Sequence, residues 1–470
     1  MLTYHFPNHL HISMYEYLYQ CIKEDIIHQK LNPHEKLPSK RTFAKHLKVS
    51  LMTIENAYNQ LLIEGYIYSI EKKGYFVSEI DFPKFHVIQK PTILEKENPI
   101  YTIDLKNNSI SPDAFPFSIW SKLTREVLST KSSQLLTRAP QNGCLVLREA
   151  IAKHLYAFSG IQVSPAQIII GAGTEYLYNL VIQLLGRDYI YALENPGHRS
   201  IAKVYQLNNV SYQYISLDHY GLNIQELSES PAQIVHLSAA HHFPTGITMP
   251  IKRRLDILNW AYHNHGYIIE DDYDSEFRLR GKPIPSLLQI DQHQSVIYMN
   301  TFSKTLAPSF RISYMVLPPK LLERYQSQFY FYTCSVSSLE QIVLAKFISE
   351  GYFEKHLRRM KNAYKMIRDE FLAQLSHSPI YPSIIITEEN AGLHFIIQHH
   401  LHITDQELVD KAKKIGLHIA TLSDYHHKPY LSHRLVINYS GLTKQQIPQA
   451  VQLLNQLLNK DIHNNNNHNT

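Results

Sequence analysis

The sequence predicts a chain of two folded units, a small winged helix-turn-helix followed by a larger α/β unit with a mostly parallel sheet. Two observations carry this prediction. The first eighty residues contain three short amphipathic helical segments and then two alternating strand-length segments. From Ile100 onward, short apolar segments alternate with helical ones, which is the order of a parallel sheet with helices on both faces. A length of 470 residues also exceeds a single core of ordinary size.

The composition is that of a soluble globular protein. Apolar residues make up 44% and charged residues 19% of the chain, and no apolar run reaches the ~18 residues needed to span a bilayer. The N-terminus lacks the charged and then apolar pattern of a signal peptide, so we expect a cytoplasmic protein. The formal net charge of +5 is too small to indicate a partner by itself.

Cysteines and histidines give no sign of a metal site in the sequence. Cys21, Cys144 and Cys334 are odd in number and widely spaced, which argues against a disulfide framework and against a CxxC site. None of the 28 histidines forms a pattern with acids or cysteines at ligand spacing, and we interpret His241-His242 and His399-His400 as loop residues. We therefore predict no bound metal.

The first unit, residues 1–80, begins with three predicted helices. Met14 to Gln29 carries apolar residues at near-helical spacing, Ser39 is placed to cap a helix from Lys40 to His46, and a third helix starts at Ser50. The apolar inward stripe of the third helix consists of Ile54, Ala57, Tyr58, Leu61 and Leu62. Its opposite face carries the polar residues Thr53, Asn56 and Gln60. Two short helices joined by a tight turn can place the second helix in a major groove.

The charge distribution of this unit favours DNA binding. Five cations and no acid occur between positions 36 and 50, namely Lys36, Lys40, Arg41, Lys45 and Lys48. Two alternating segments around Glu71-Lys-Lys-Gly predict a wing. The predicted DNA-contacting residues are Lys40, Arg41, Ser50, Thr53, Asn56, Lys72, Lys73 and Gly74. The alternative is a solvated face on a packing domain.

Two segments are predicted to lie outside the folded units. Residues 81–100 contain prolines and charges with little periodicity, so we interpret them as a linker. Residues 461–470 are rich in asparagine and are expected to be disordered. The α/β unit spans residues 101–460, with a long helical stretch through Asp369 and then a small α+β part.

The predicted strands of the α/β unit are short apolar segments with polar residues or glycine after them. They lie at 168–170, 189–193, 234–237, 267–270 and 296–299. In an open α/β sheet, residues that follow the carboxyl ends of parallel strands converge on one site. The residues after 270 and after 299 are therefore the candidate functional residues.

Four of these residues point to pyridoxal phosphate. A partly desolvated lysine, here Lys304, can lose its proton and attack a carbonyl to form a Schiff base. Asp271 can keep a pyridinium nitrogen protonated, and Tyr273 can hydrogen-bond the ring hydroxyl. Arg311 can hold a phosphate through its planar guanidinium. Each residue alone has an ordinary interpretation as a solvated lysine or a polar strand end, and the combination predicts the cofactor.

The motifs around these residues resemble those of fold-type I aminotransferases and, more closely, of the MocR family of bacterial transcription regulators. Members of that family fuse a GntR-type winged helix to an aminotransferase-like domain. Ile269 to Arg278 and Thr301 to Lys304 carry the resemblance in the large unit. In the small unit it rests on Leu37 to Arg41, Val49-Ser50, Ala57-Tyr58 and Glu64 to Tyr66. One departure is Leu51, where many relatives have an arginine after the Val-Ser pair.

The resemblance implies the fold class of a PLP-dependent transferase, fold type I, and further site residues. The strand-to-helix turn at 171–174 resembles the turn that binds the cofactor phosphate in that family. The residues implicated with Arg311 are Ala172, Gly173, Thr174, Thr301 and Ser303. Phe243, His198 and Thr137-Arg138 depart from the aminotransferase pattern, so we expect turnover to be inefficient.

An effector carboxylate needs a bidentate arginine, and the candidates are Arg434 and Arg199. Arg434 resembles the arginine that holds the α-carboxylate in aminotransferases, and either residue can equally be an ordinary surface or interface charge. The resemblance also implies a homodimer, by analogy with subunit-interface sites.

The predicted function is that of a regulator that binds operator DNA and senses a small molecule. The signal is pyridoxal phosphate itself, or an amine or amino-acid effector that reacts at the Schiff base on Lys304. One alternative is an active aminotransferase with an accessory DNA-binding module. Another is a dimerisation scaffold that has lost its cofactor chemistry.

Overall fold

A computed structural model describes residues 2–6, 12–80, 101–107, 110, 114–278, 284–389 and 392–459. The predicted linker at 81–100 and the predicted disordered tail at 461–470 lie outside the described residues. The chain divides into two compact units, Met1–Asn98 and Pro99–Thr470. Among the described residues, no helix is long and apolar enough to cross a membrane.

The first unit is a three-helix domain with a two-stranded wing, which confirms the predicted winged helix-turn-helix. Its helices are α1 (Met14–Ile27), α2 (Lys40–Leu47) and α3 (Leu51–Ile63), and its strands are β1 (Ile67–Ile70) and β2 (Gly74–Val77). The strands pair antiparallel, with Ile70 opposite Gly74. Leu18 and Ile22 of α1, Phe43 of α2 and Tyr58 of α3 are fully buried and form the core.

Two serine caps set where α2 and α3 begin. Ser39 Oγ accepts a hydrogen bond from Thr42 N at 3.2 Å, and Ser50 Oγ accepts one from Thr53 N at 3.1 Å. Each bond satisfies a backbone donor that has no partner within its own helix. The predicted cap at Ser39 is confirmed, and Ser50 is the cap of the third helix and not its first residue.

The second unit alternates strands and helices up to a long helix, as predicted. Its strands are β3 (Ile103–Asp104), β4 (Ile168–Gly171), β5 (Tyr191–Asn195), β6 (Tyr212–Asp218), β7 (Gly221–Leu222), β8 (Ile234–Leu237), β9 (Tyr267–Asp271), β10 (Val296–Thr301) and β11 (Ser313–Val316). Its helices are α4 (Phe117–Thr130), α5 (Ser132–Leu135), α6 (Leu145–Ser159), α7 (Thr174–Leu185), α8 (Arg199–Leu207), α9 (Ile224–Glu229), α10 (Ile251–His263), α11 (Leu287–Ile290), α12 (Pro319–Gln328), α13 (Ser338–Ser349) and α14 (Tyr352–Ser376).

The large sheet has eight strands in the order β4-β11-β10-β9-β8-β5-β6-β7. Five neighbouring strands, β10, β9, β8, β5 and β6, run parallel, while β11 is antiparallel to both β10 and β4, and β7 is antiparallel to β6. The mostly parallel sheet predicted from the sequence is therefore confirmed. Its parallel strands end at the same edge, which is where functional groups are expected.

Helices cover both faces of this sheet. Strands β4, β8, β10 and β11 are buried along their whole length, as expected for strands covered on two sides. Successive residues point to opposite cores: Ile168 and Ile170 pack in one apolar cluster, whereas Ile169 packs in another with Leu177 of α7.

The C-terminal part of the second unit is a smaller α+β layer. It contains β12 (Ile384–Thr387), β13 (His394–His399), α15 (Asp405–Lys414), β14 (Leu417–His418), β15 (Ala420–Thr421), β16 (Arg434–Asn438) and α16 (Ile447–Leu458). Four strands form an antiparallel sheet in the order β12-β13-β16-β15. Strand β14 instead pairs in parallel with β3, with Leu417 opposite Ile103. The last part of the unit is thereby tied to its first strand.

Candidate functional site

A cavity of about 660 Å³ opens at the carboxyl edge of the large sheet. Its walls come from the ends of β5, β8, β9 and β10, from the first turns of α7 and α8, and from the segment that follows β15. Its inner residues include Thr174, Tyr178, His236, Asp271, Tyr273, Thr301, Ser303, Lys304 and Arg311. Strand topology therefore brings together the chemistry-bearing residues that the sequence separates by more than a hundred positions.

Lys304 lies in the cavity wall three residues after the end of β10. Burial lowers the pKa of its ammonium from 10.5 to about 8, against an opposing effect of the Asp274 carboxylate. A substantial fraction of Lys304 is therefore a neutral amine near pH 8. A neutral amine is the form of lysine that attacks a carbonyl carbon.

Asp271 ends β9 and is 8% exposed. Its Oδ2 accepts a 2.5 Å hydrogen bond from the Tyr178 hydroxyl, and its Oδ1 has no hydrogen-bond partner among the described residues. Burial raises the pKa of this carboxyl to about 6. Beneath it, His236 Nε2 lies 3.9 Å from Oδ2, and burial lowers the pKa of that imidazole to about 3. A cationic ring nitrogen is the partner that a desolvated carboxylate with one open oxygen requires.

Tyr273 follows Asp271 by two residues, and its hydroxyl oxygen is buried with no hydrogen-bond partner among the described residues. The Phe243 ring stands nearly perpendicular to the Tyr273 ring, at 6.5 Å between centroids. A buried hydroxyl without a partner costs free energy unless a ligand supplies one. A ring hydroxyl or phenolate of a bound cofactor would do so.

The end of the cavity near α7 is suited to an anion. Gly173 caps this twelve-residue helix with φ +92°, and a Cβ at this position would overlap the Arg311 guanidinium. Hydroxyl groups lie next to it: Thr301 Oγ1 is 3.0 Å from Ser303 Oγ and 2.8 Å from Ser313 Oγ. A helix start, a guanidinium and hydroxyls form a cradle for a phosphate.

Glu175 competes for this cradle. Its Oε2 lies 2.5 Å from Arg311 Nη2, and both side chains are about half exposed, at 47% and 50%. The guanidinium therefore already has a carboxylate partner, which a phosphate would have to share or displace.

Pyridoxal phosphate fits these residues. The open Oδ1 of Asp271 and the hydroxyl of Tyr273 offer partners for a ring nitrogen and a ring hydroxyl, and the start of α7 at Thr174, with Arg311, suits a phosphate. Lys304 would supply the amine for the aldehyde carbon.

The outer wall is aromatic and basic. The His198 ring lies 5.8 Å from Phe243, and Phe243 packs edge-on against Tyr425 at 5.0 Å. Arg199 Nη2 donates to the backbone carbonyls of His426 at 2.9 Å and Ser423 at 3.4 Å. A guanidinium at the entrance thus holds the segment after β15 against α8.

The structure brings most of the predicted site residues together, with three exceptions. Ala172 and Gly173 belong to the turn but do not line the cavity, and the Ala172 amide is occupied by Ser335 Oγ at 3.0 Å. Arg434 is exposed at the start of β16, opposite Gln398, and lies outside the cavity. Arg199 does line the cavity, and the roles of both arginines as partners of a carboxylate stay predictions.

Sequence reasoning missed Tyr178, His236 and Glu175. Tyr178 lies one helical turn after Thr174 on α7, so its position next to the phosphate turn was a usable signal. His236 lies inside a buried strand, where an apolar pattern gave no reason to single it out. Glu175 shows its role only through the contact with Arg311.

The predicted DNA-contacting residues lie on the wing and on α2 and α3. Arg41, Asn56, Lys72 and Lys73 are exposed. Lys40 Nζ instead forms a 2.8 Å ion pair with Glu55. The nearby carboxylate weakens the attraction between this lysine and a DNA phosphate. The remaining candidates, Ser50, Thr53 and Gly74, belong to the α3 cap and the wing turn.

Two protein families match the chain. Residues 104–454 match the aminotransferase class I and II family, and residues 14–77 match the gntR family of bacterial regulatory proteins. The uncharacterized HTH-type transcriptional regulator YdeL of Bacillus subtilis (strain 168) is 36% identical over 95% of this chain and 96% of its own. The probable rhizopine catabolism regulatory protein MocR of Rhizobium meliloti is 28% identical over 94% of this chain and 93% of its own.

Among solved structures, the multiple substrate aminotransferase of Thermococcus profundus superposes with a TM-score of 0.68. It is 23% identical, and the match covers 78% of this chain and 93% of that one. This likeness concerns the fold of the second unit.

The lowered pKa of Lys304 predicts how the chain takes up its cofactor. Mixed with pyridoxal phosphate, cofactor-free protein should react about tenfold faster per pH unit as pH rises toward 8, because the neutral amine accumulates, and should level off above that pH. Stopped-flow absorbance measures the rate, with Lys304→Ala as the unreactive control. A rate that keeps climbing to pH 10 would show an ordinary solvated lysine.

The Glu175–Arg311 contact predicts a second effect. Glu175→Gln should tighten pyridoxal phosphate binding about fivefold, because the substitution removes the charge that competes with the phosphate for a half-exposed guanidinium. Fluorescence titration of cofactor-free protein measures the affinity. Glu126→Gln is the matched control, since Glu126 forms a similar half-exposed ion pair with Lys346. Unchanged or weaker binding in Glu175→Gln contradicts the competition.

Proposed function

We propose that this chain, which belongs to the MocR family of transcription regulators with an aminotransferase class I and II domain, couples the occupancy of its cofactor cavity to DNA binding. Its cofactor is pyridoxal phosphate. The signal is an amine or amino-acid effector that enters the cavity, or pyridoxal phosphate itself.

One observation carries the proposal. A winged helix-turn-helix with exposed cations is joined to a unit whose cavity retains Lys304, Asp271, Tyr273 and Arg311. A metabolic enzyme has no use for a helix that reads a groove, and a bare scaffold has no use for a desolvated lysine next to buried polar groups without partners.

The residues of the cavity suit the capture and release of an amine. When bound, pyridoxal phosphate supplies an electrophilic carbon that primary amines attack. Lys304, with its lowered pKa, gives up and takes back a proton near neutral pH. Asp271 would hold a proton on the ring nitrogen, Tyr273 would orient the ring hydroxyl, and Arg311 would anchor the phosphate. The altered positions His198 and Phe243 favour binding over efficient turnover.

Arg199 is the proposed anchor for the anionic group of an effector. Its guanidinium now donates to the carbonyls of Ser423 and His426, which are neutral acceptors. A carboxylate is a stronger partner and would draw Arg199 away from these carbonyls. Lys203, exposed one turn further along α8 and also in the cavity wall, adds positive charge. Effector binding would thus loosen the segment after β15.

DNA is engaged by a homodimer in this proposal. Paired winged helices match two half-sites by symmetry, and the exposed cations Arg41, Lys72 and Lys73 contact phosphates or base edges. An active aminotransferase with an accessory DNA-binding module is the second candidate, favoured by the intact lysine, acid and arginine of the cavity.

Arg41 tests the DNA-binding side. A duplex selected by the wild-type chain from a random library should bind Arg41→Ala about tenfold more weakly, and the salt dependence of binding should lose about one unit of slope, because one phosphate or base contact is gone. Fluorescence anisotropy at several salt concentrations measures both. Lys320→Ala, an exposed cation at the start of α12, is the control. Equal binding by Arg41→Ala and wild type contradicts this docking.

The coupling is tested by titrating the same duplex with cofactor-free protein, cofactor-loaded protein, and loaded protein with a panel of amines and amino acids. We expect at least one pair of states to differ about five- to 150-fold in DNA affinity, which corresponds to ~1–3 kcal/mol of coupling. Arg199→Gln should abolish the response to an anionic amine, because the guanidinium that would bind the anion is gone.

Keto-acid formation is assayed on the same samples. Rapid multiple-turnover transamination, with no change of DNA affinity in any state, would support the enzyme and overturn the regulator that senses its cavity.

A further inference from the structure

Three ligating side chains meet in the C-terminal layer of the second unit. His399 is the last residue of β13, Asp405 is the first residue of α15, and His433 directly precedes β16. One ligand atom from each residue lies within 4.8 Å of the other two. The sequence interpretation of His399 as a loop residue is corrected here, because it is a strand residue with 2% exposure.

Strand pairing brings the two histidines together. His399 N donates to His433 O at 2.9 Å, one residue beyond the pairing of Gln398 with Arg434. Directly opposed residues of antiparallel strands lie on the same face, and the two imidazole rings are perpendicular with centroids 5.4 Å apart. Because His399 and His433 are far apart in the sequence, they form no short motif that would predict a metal site.

Asp405 is oriented by the residue next to His433. Ser432 donates to Asp405 Oδ2 from its backbone nitrogen at 3.0 Å and from its Oγ at 2.7 Å. Asp405 is 6% exposed, and its Oδ1 has no hydrogen-bond partner among the described residues. The same holds for His433 Nδ1. A buried carboxylate oxygen and an imidazole nitrogen without partners cost free energy, and a cation would satisfy both.

We propose that His399, Asp405 and His433 bind a divalent transition metal, with Zn²⁺ as the best fit to two imidazoles and one carboxylate. Tetrahedral zinc holds its ligand atoms about 3.4 Å apart, so the side chains close on the ion by about 1 Å. Water takes the fourth position. His399 Nδ1 accepts a long, 3.3 Å hydrogen bond from Leu401 N, which coordination through Nδ1 would replace and coordination through Nε2 would leave in place.

The site is separate from the cofactor cavity, whose walls include none of its three ligands. It is nevertheless connected to that cavity through the chain. Asp405 and His433 bracket the segment that contributes Tyr425, His426 and His427 to the outer wall. An ion shared with His399 fixes both ends of this segment to β13, so metal binding stabilises the layer that carries the wall.

Zinc binding by the full-length, tag-free chain tests the proposal. Equilibrium dialysis against Zn²⁺ followed by elemental analysis should find about one tightly held ion per chain at pH 7.5. Asp405→Asn keeps the side-chain shape and can still accept from Ser432, and it should lower zinc affinity at least about tenfold. Zinc should raise the thermal midpoint of the wild type and leave that of the variant unchanged.

Two neighbours serve as matched controls, since His400 and His402 are exposed residues of the same connection. His400→Ala and His402→Ala should bind zinc like the wild type. His433→Gln provides a second ligand variant, and far-UV circular dichroism with cofactor absorbance checks that each variant is folded. Equal zinc binding by wild type, Asp405→Asn and His433→Gln would mean surface histidines only and would overturn the site, as would a wild-type chain that retains no ion.

Discussion

Desolvation at the carboxyl edge of the parallel sheet is the constraint on which the functional site depends. Asp271 ends one buried strand and Lys304 follows another, so their charges have little water to stabilise them. The pKa of the acid rises and that of the lysine falls, which brings both near neutrality. The same burial leaves the Tyr273 hydroxyl without a partner. A ligand with a cationic ring nitrogen, a ring oxygen and a reactive carbon would give each of these three side chains a partner.

The elements of both units were predictable because their signals are local. Helical spacing and a serine at each start define α2 and α3, and short, mostly apolar segments that end in glycine or polar residues define β4, β8 and β10. The inner cavity was predictable for a related reason. In a parallel sheet, the residue that follows a strand lies at the carboxyl edge, where functional sites form, whichever strands are its neighbours.

Side chains whose role depends on distant partners were not predictable in this way. Arg434 has the right residue type, but it stands at an exposed strand start and lies outside the cavity. Conversely, Glu175 meets Arg311, and His399 meets His433, only because of strand order and helix position. A linear pattern holds residue types and spacings, and it holds no information on which of two neighbouring positions faces a cavity.

The pairing of β14 with β3 gives the second unit a mechanical linkage between its cavity and its own beginning. His418 of β14 stacks on Tyr101 at 4.2 Å and its Nδ1 lies 3.1 Å from an Asp104 oxygen, while Lys106 reaches Asp424 at 3.9 Å. A few residues after β14, the same segment forms the outer wall around Tyr425. A displacement of that wall would therefore also displace Tyr101, Asp104 and Lys106, which are among the first described residues of the second unit.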